Sequence, residues 1–380
     1  MTLPQIPFNR PAFVGREQEY VTEAVARGHL SGDGIFTRRC SALLVEALGA
    51  AQALLTTNCT HALEMAALLL DLEPGDEVIV PAFTFVSSVN AFVLRGAIPV
   101  FTDIRPDTLN LDESQLDALI TPRTRAIVPV HYAGIGCEMD VIVPVARKHG
   151  LAIVEDNAHG LFGSYRGQLL GSFGVMSTLS FHETKNLTCG EGGALVLNDP
   201  ALVARAEIIR EKGTNRSQFF RGQVEKYTWV DIGSSYLPSD ILAAILYGQL
   251  ERRPEIQARR QLLFERYEKG LGDWAPQVGA RLPVVPVHVG PAYHIFYLLM
   301  PSLAARQAMI AHLRTCGVSS VFHYVPLHSS PMGMRFGGRL GTCPVAESSS
   351  DRLLRLPFYN SMTDAEQDHV IDAVRRFVSD

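Results

Sequence analysis

The chain has 380 residues, enough for a large domain with a smaller companion, and its 47% hydrophobic content is that of an ordinary globular protein. A net charge of −5 without a basic tail or stripe argues against a nucleic-acid partner, so an anionic substrate would need a local basic pocket. The N-terminal MTLPQIPFNRP has neither a basic nor an apolar leader region, and the longest apolar stretches are broken by Glu64 or Asp71. No membrane partner is expected, and a cytoplasmic location is. The six cysteines, at 40, 59, 137, 189, 316 and 343, show no CxxC pair and no zinc-type spacing, which points to free thiols and no metal site.

From about residue 50 to 200, short continuous apolar runs alternate with helix-like stretches, the pattern of a parallel sheet buried on both faces. TTNCTHALEMAALLL (56–70) sets small polar residues before a helix around 60–71, a start at which backbone N–H groups and the helix dipole favour a phosphate. The plainer reading is an N-cap by Asn58 or Thr60. EVIVP (77–81) is the first expected strand. PAFTFVSS then opens a helix around 84–95 with Phe85, a residue able to cover a flat ring by offset stacking or simply to fill the core. PVFTD (99–103), AIVPVH (126–131), LAIVED (151–156), STLSF (177–181) and ALVLN (194–198) are the further strands, with helices around 113–120, 139–149 and 200–211. In such a fold the ligand crevice lies beyond the strand C-termini, where Phe85, Asp103, His131 and Asp156 fall.

The polar stretch GTNRSQFFRGQVEKYTW (213–229) is too long for an ordinary α/β connection. Its Arg216, Arg221 and Lys226 among aromatics suit a segment reaching across a dimer interface towards an anionic ligand, the alternative being a solvated loop. A helical run resumes near Ser239 and passes Pro254 into IQARRQLLFERYEKGL. The expected division is therefore 1–250, a large cofactor-binding domain whose N-terminal segment packs on the small one, and 251–380, a small α+β domain with a strand at 294–300. VFHYVPLH contributes His323 and Tyr324, either lining the ligand cleft or forming a buried pair.

The strongest chemical signal is VED (154–156) followed by FHETKN (181–186), which puts a carboxylate and a lysine at the ends of nearby strands. Pyridoxal 5′-phosphate needs a lysine amine to bond its aldehyde and an anion to keep its ring nitrogen protonated. Lysines occur only at 148, 185, 212, 226 and 269, and Lys185 alone follows an apolar run and precedes a glycine-rich turn. Asp156 is the matching carboxylate. A carboxylate about 4 Å from a cationic ring nitrogen, at an effective dielectric near 20, is worth roughly 4 kcal/mol. Ser180 could add a hydroxyl to the phosphate, and His159, one helical turn beyond Asp156, could approach the ring's phenolic oxygen.

With these motifs the chain resembles the DegT/DnrJ/EryC1/StrS family of nucleotide-sugar aminotransferases, from IPFNRP to RLPFYN (355–360). The resemblance implies the type I pyridoxal phosphate-dependent aminotransferase fold: a large domain with a mostly parallel sheet flanked by helices, plus a smaller α+β C-terminal domain. SGDGIFTRRC (31–40), CTHALEMAALLLDLEPGDEV (59–78), TFVSSVNAFVLRGA (84–97), PVHYAG (129–134), SFHETKN (180–186) and AEIIREKGTNRSQFFRGQVEKYTW (206–229) point within it to a 4-aminotransferase of dTDP-4-keto-6-deoxy sugars. It further implies Lys185 as the residue bonded to the cofactor, Asp156 on the ring nitrogen and Phe85 on the ring face. Thr60, His61 and Ser180 then hold the phosphate, glutamate is the amino donor, and two subunits share their active sites. The chain departs from the family where many members carry glutamine at the position of His159 and asparagine, given to the neighbouring subunit's phosphate, at that of Ser235. Amination at C3 or of a dTDP-4-ketopentose would use the same cofactor residues. A regulator that binds cofactor or nucleotide sugar without turnover is the reading from another class, and an intact Lys185 and Asp156 weigh against it.

Overall fold

A computed structural model describes residues 5–378. Seven strands form the main sheet, in the order Gln52–Thr56, Gly193–Leu197, Met176–Ser180, Ala152–Asp156, Thr124–Ile127, Glu77–Pro81, Ile98–Thr102. All run one way except Gly193–Leu197, which is antiparallel to both its neighbours. The expected parallel core is present, with strand ends within a few residues of those read from the apolar runs.

Burial on both faces explains why these strands read as continuous apolar runs. In Glu77–Pro81 every residue is buried, and Val78 and Val80 pack with Leu63, Met65 and Phe92 on one face while Ile79 packs with Leu116, Ile127 and Ile142 on the other. The strand Gln52–Thr56 was absent from the sequence reading, and so were the helices Glu17–Ala26 and Ile35–Leu48 before it. Those helices pack against Asp240–Glu251 in a cluster with Tyr20, Phe36, Leu44 and Leu246. Asp240 ties them together: its buried carboxylate accepts from Thr37 N–H and Thr37 O–H, each at 2.8 Å, and from Phe36 N–H at 3.3 Å.

The helical run expected to pass through Pro254 breaks instead at Arg252, and a second helix, Arg253–Leu271, begins with that proline in its first turn. A proline lacks the N–H that an interior position must donate, whereas the first turn has no partner for it. The segment 213–229 is not wholly irregular either, since Arg216–Phe220 forms a short helix.

Arg253–Leu271 packs with Leu303–Thr315, Asp364–Arg375 and a three-stranded sheet, Tyr297–Leu299, Leu353–Arg355, Val321–Phe322, with Leu353–Arg355 in the centre. Ile6 joins that cluster through a bridge to Val318. No helix among the described residues is long and apolar enough to cross a membrane.

Candidate active site

A cavity of about 790 Å³ opens beyond the C-terminal ends of the parallel strands. Asp156, last residue of its strand, lines it and is buried. Ser88 donates its O–H to Asp156 Oδ2 at 2.6 Å, and the Ala158 N–H donates to Oδ1 at 3.1 Å. Ser88 has spent its one proton on the carboxylate, so the 2.8 Å contact from Thr84 must be a donation by Thr84. Two donors fix the carboxylate's orientation while lone pairs remain for a charged N–H.

Lys185 lines the same cavity, in the turn after Met176–Ser180. Desolvation brings its pKa down from the ordinary lysine range to about 8, with the charge of Asp156 acting in the opposite sense. An amine in that range is a nucleophile near neutral pH. Its backbone is held through its neighbour. The buried Asn186 donates Nδ2 to Ala292 O at 2.6 Å, accepts at Oδ1 from His294 Nδ1 at 2.9 Å, and receives Asn360 Nδ2 on its carbonyl at 3.1 Å. An amide oxygen only accepts, so this network assigns the proton to His294 Nδ1.

At the other end, Asn58 caps the helix Cys59–Leu69 by accepting the His61 N–H at 2.8 Å. The plain capping reading of Asn58 therefore holds, and it uses the N–H of His61. The N–H groups of Cys59 and Thr60 stay available for an anion, as does the pair of hydroxyls Thr60 Oγ1 and Ser87 Oγ, 2.8 Å apart and both on the cavity wall. Gly193, read from sequence as part of a tight turn, instead lets its strand pass under this helix start: a Cβ there would lie 2.3 Å from the carbonyl carbon of Asn58.

Of the other residues singled out in the sequence, Phe85, His159, Ser180, His323 and Tyr324 also line the cavity. Phe85 is 54% exposed, which leaves its ring open to the cavity that it lines. His159 is buried, its Nδ1 has no hydrogen-bond partner, and its ring lies 4.2 Å from that of His294 and 6.1 Å from that of His323. Desolvation, reinforced by nearby cationic side chains, pushes all three histidines well below their usual pKa, so they are neutral acceptors or donors rather than cations.

Other candidates lie elsewhere. His61 turns its ring to Tyr236 and Thr57 and does not reach the cavity. Ser235 is exposed and forms a backbone bridge with Glu211. Arg216 lies 3.7 Å from Glu211, Arg221 grips Glu207 through two bonds of 2.7 and 3.0 Å, and Lys226 is exposed. None of these four lines this chain's cavity. Asp103 and His131, noted at strand ends, are structural: Asp103 accepts the Val345 and Ala346 N–H groups, and His131 contacts Glu155 at 2.9 Å. Sequence reasoning missed Ser88, Asn186, His294 and Arg355, although RLPFYN, which begins with Arg355, had been noted as a motif.

The family model for DegT/DnrJ/EryC1/StrS aminotransferases matches residues 12–375. The chain belongs to that family. It is 34% identical to the spore coat polysaccharide biosynthesis protein SpsC of Bacillus subtilis, covering 98% of this chain and 97% of the relative. Among solved structures it is similar to the aminotransferase TlmJ from Streptoalloteichus hindustanus, at 32% identity and a TM-score of 0.89 over 97% of this chain and 98% of that one. The pyridoxal phosphate form of Spr1654, a candidate sugar aminotransferase from Streptococcus pneumoniae, matches at 27% identity and 0.90 over 98% of each. The aminotransferase described here shares their fold and is a pyridoxal phosphate enzyme. Its cavity fits that cofactor: a carboxylate at one end, free N–H groups at a helix start at the other, a desolvated lysine, an uncovered aromatic face and an unpartnered His159 Nδ1.

Proposed function

We propose that this aminotransferase converts a dTDP-4-keto-6-deoxy sugar to the dTDP-4-amino sugar, with glutamate as donor. The sugar reading is supported by the relatives, one named for spore coat polysaccharide biosynthesis and one for sugar amination. The finer reading rests on the runs quoted above, of which 206–229 is the most distinctive. The observation that carries the chemistry is a single cavity lined by both Lys185 and Asp156.

When bound, pyridoxal phosphate supplies an electron sink for the carbon next to the transferred nitrogen. Lys185 bonds the cofactor's aldehyde at rest. With the donor bound, Lys185 Nζ would move the proton at the donor's α-carbon, a task suited to an amine whose pKa lies near 8. Asp156, oriented by Ser88, holds the proton on the ring nitrogen. Phe85 packs on the ring, His159 meets the phenolic oxygen, Thr60 and Ser180 bind the phosphate, and His323 and Tyr324 border the sugar. His61 is left as support for the helix start.

We take the protein to be a cytoplasmic homodimer with shared sites, divided near residue 250 into cofactor-binding and small domains. Trp229, Phe220, Tyr227, Val230 and Ile232 are 76, 69, 52, 51 and 43% exposed in one chain, an apolar stretch that a second copy would cover. Ser235 and the cations Arg216, Arg221 and Lys226 border it and would serve the partner's site. Incubation of the yellow protein and glutamate with dTDP-4-keto-6-deoxyglucose, and separately with the corresponding 4-ketopentose, followed by NMR of the product, tests the reading. Nitrogen at C4 of the hexose is expected; nitrogen at C3, or conversion of the pentose alone, refutes it.

A further inference from the structure

Arg260, on the helix Arg253–Leu271, is 2% exposed and does not line the cavity. No described carboxylate lies within 4.0 Å of it. Neutral acceptors meet its charge instead: Nε donates to Tyr293 O at 2.7 Å, Nη1 to Asn360 Oδ1 at 3.0 Å, and Nη2 to His294 O. The guanidinium carbon lies 4.6 Å from the centre of the Phe358 ring. Burial brings its pKa down to about 9, so it keeps its charge at neutral pH. A buried cation of this kind adds little stability that a well-packed apolar side chain of similar volume would not. What it adds is geometry, a planar fork whose donors point in fixed directions.

Each group that the fork holds belongs to, or adjoins, a partner of Asn186, the residue after Lys185. Asn360 gives Nδ2 to Asn186 O at 3.1 Å, His294 gives Nδ1 to Asn186 Oδ1 at 2.9 Å, and Ala292 O, next to Tyr293, takes Asn186 Nδ2 at 2.6 Å. Tyr293 stands between two of these partners with a φ of 52°, a left-handed backbone that a non-glycine residue rarely adopts, and Arg260 grips its carbonyl. Arg260 also decides which way Asn360 faces. A guanidinium has donors only, so the Asn360 amide must turn its oxygen towards it, which leaves Nδ2 for Asn186. One turn earlier on the same helix, Gln257 Oε1 accepts from Asn186 Nδ2 at 3.3 Å. The helix thus reaches Asn186 directly through Gln257 and, by way of Arg260, through its other partners.

We propose that Arg260 is a positioning residue: by fixing Tyr293, His294 and Asn360 it clamps Asn186 and so aims Lys185, a role that rests on the reading of Lys185 as the residue bonded to the cofactor. Two variants of the full-length holoenzyme separate aim from stability. Arg260→Met removes the fork. Asn360→Asp keeps an acceptor for Arg260 and gives it a counter-ion, but loses the donor to Asn186 O. Three properties are measured: the rate constant and half-saturating concentration for bleaching of the yellow absorbance by L-glutamate, the visible circular-dichroism band per unit of bound cofactor, and the urea unfolding midpoint. In both variants the rate constant should fall on the order of 100-fold, the scale of a misplacement of about 1 Å, with half-saturation unchanged and the band weakened. The Asn360→Asp midpoint should be no lower than that of the unaltered protein, and this variant carries the test if Arg260→Met does not fold. A normal rate constant and band in Asn360→Asp, or in a folded Arg260→Met, overturn the proposal. A rate loss in Asn360→Asp that comes with a lowered midpoint, or with an equal change in half-saturation, makes Arg260 a structural residue and overturns it as well. If glutamate does not bleach the unaltered protein, the donor reading fails and the band decides for Arg260. Borohydride trapping of the cofactor on a lysine other than Lys185 refutes the underlying assignment, an outcome distinct from any result with the variants.

Discussion

Lys185 should react with electrophiles at a pH where the other lysines do not. With its pKa brought down from 10.5 to about 8, about a quarter of its amine is neutral at pH 7.5, against about one part in a thousand for an unperturbed lysine. Between pH 7 and 9 its neutral fraction rises about tenfold and then levels, while an unperturbed amine rises about a hundredfold without levelling. Reductive methylation of the cofactor-free protein with formaldehyde and borohydride, read by peptide mass spectrometry, measures this. Lys148, Lys212, Lys226 and Lys269, all exposed, serve as controls within the same sample. The folded pKa lies below the unfolded one, so the ammonium form penalises the cofactor-free fold at low pH. That penalty should fade, and stability rise, between about pH 8 and 10.5. A Lys185 rate still climbing above pH 9 in step with the controls refutes the argument that the cavity desolvates it.

Lys185→Ala should retain the fold and lose turnover, and borohydride trapping of cofactor on any of the other four lysines would show the assignment to be wrong. Asp156→Asn should keep bound cofactor yet lose on the order of a thousandfold in kcat, the kinetic equivalent of roughly 4 kcal/mol; a near-normal kcat would reduce Asp156 to a structural role. Asp240→Ala strands three donors at the start of Ile35–Leu48 and should cost about 2–4 kcal/mol in urea unfolding, and an unmoved midpoint would contradict its anchoring role. A mixed dimer of a Lys185→Ala subunit with one altered at Arg216, Arg221 and Ser235 should regain up to half the normal activity, because both lesions then fall in one composite site. No recovery on mixing would mean that each chain builds its own site.

Asp156 and Lys185 were legible in the sequence because each follows a continuous apolar run, and such runs mark strands buried on both faces whose ends form the crevice. The helix start on the cavity wall was legible through its small polar residues, but not that Asn58 consumes the His61 N–H and turns that histidine away. The first strand escaped because AQALLT is short and directly follows a helix with similar apolar content. Arg355 escaped for a different reason. In LLRLP it looks like an ordinary polar residue of a short strand, and its burial depends on partners at 8, 297 and 322 that no local pattern indicates. The same holds for His294, whose role depends on meeting Asn186 more than a hundred residues earlier.

The bonds on Asn186 have a consequence for anyone recombining members of this family. The residue after Lys185 belongs to the sheet-bearing part of the chain, yet its partners are Gln257, Ala292, His294 and Asn360, all beyond residue 250. A chimaera joined near 250 would inherit Asp156, Lys185 and the helix start at Cys59 from one parent intact. It would still leave the lysine's aim to the other parent's C-terminal half. Positions 186, 294 and 360 therefore form one inheritable unit, and a graft that separates them would yield a protein able to bind its cofactor but poorly able to use it.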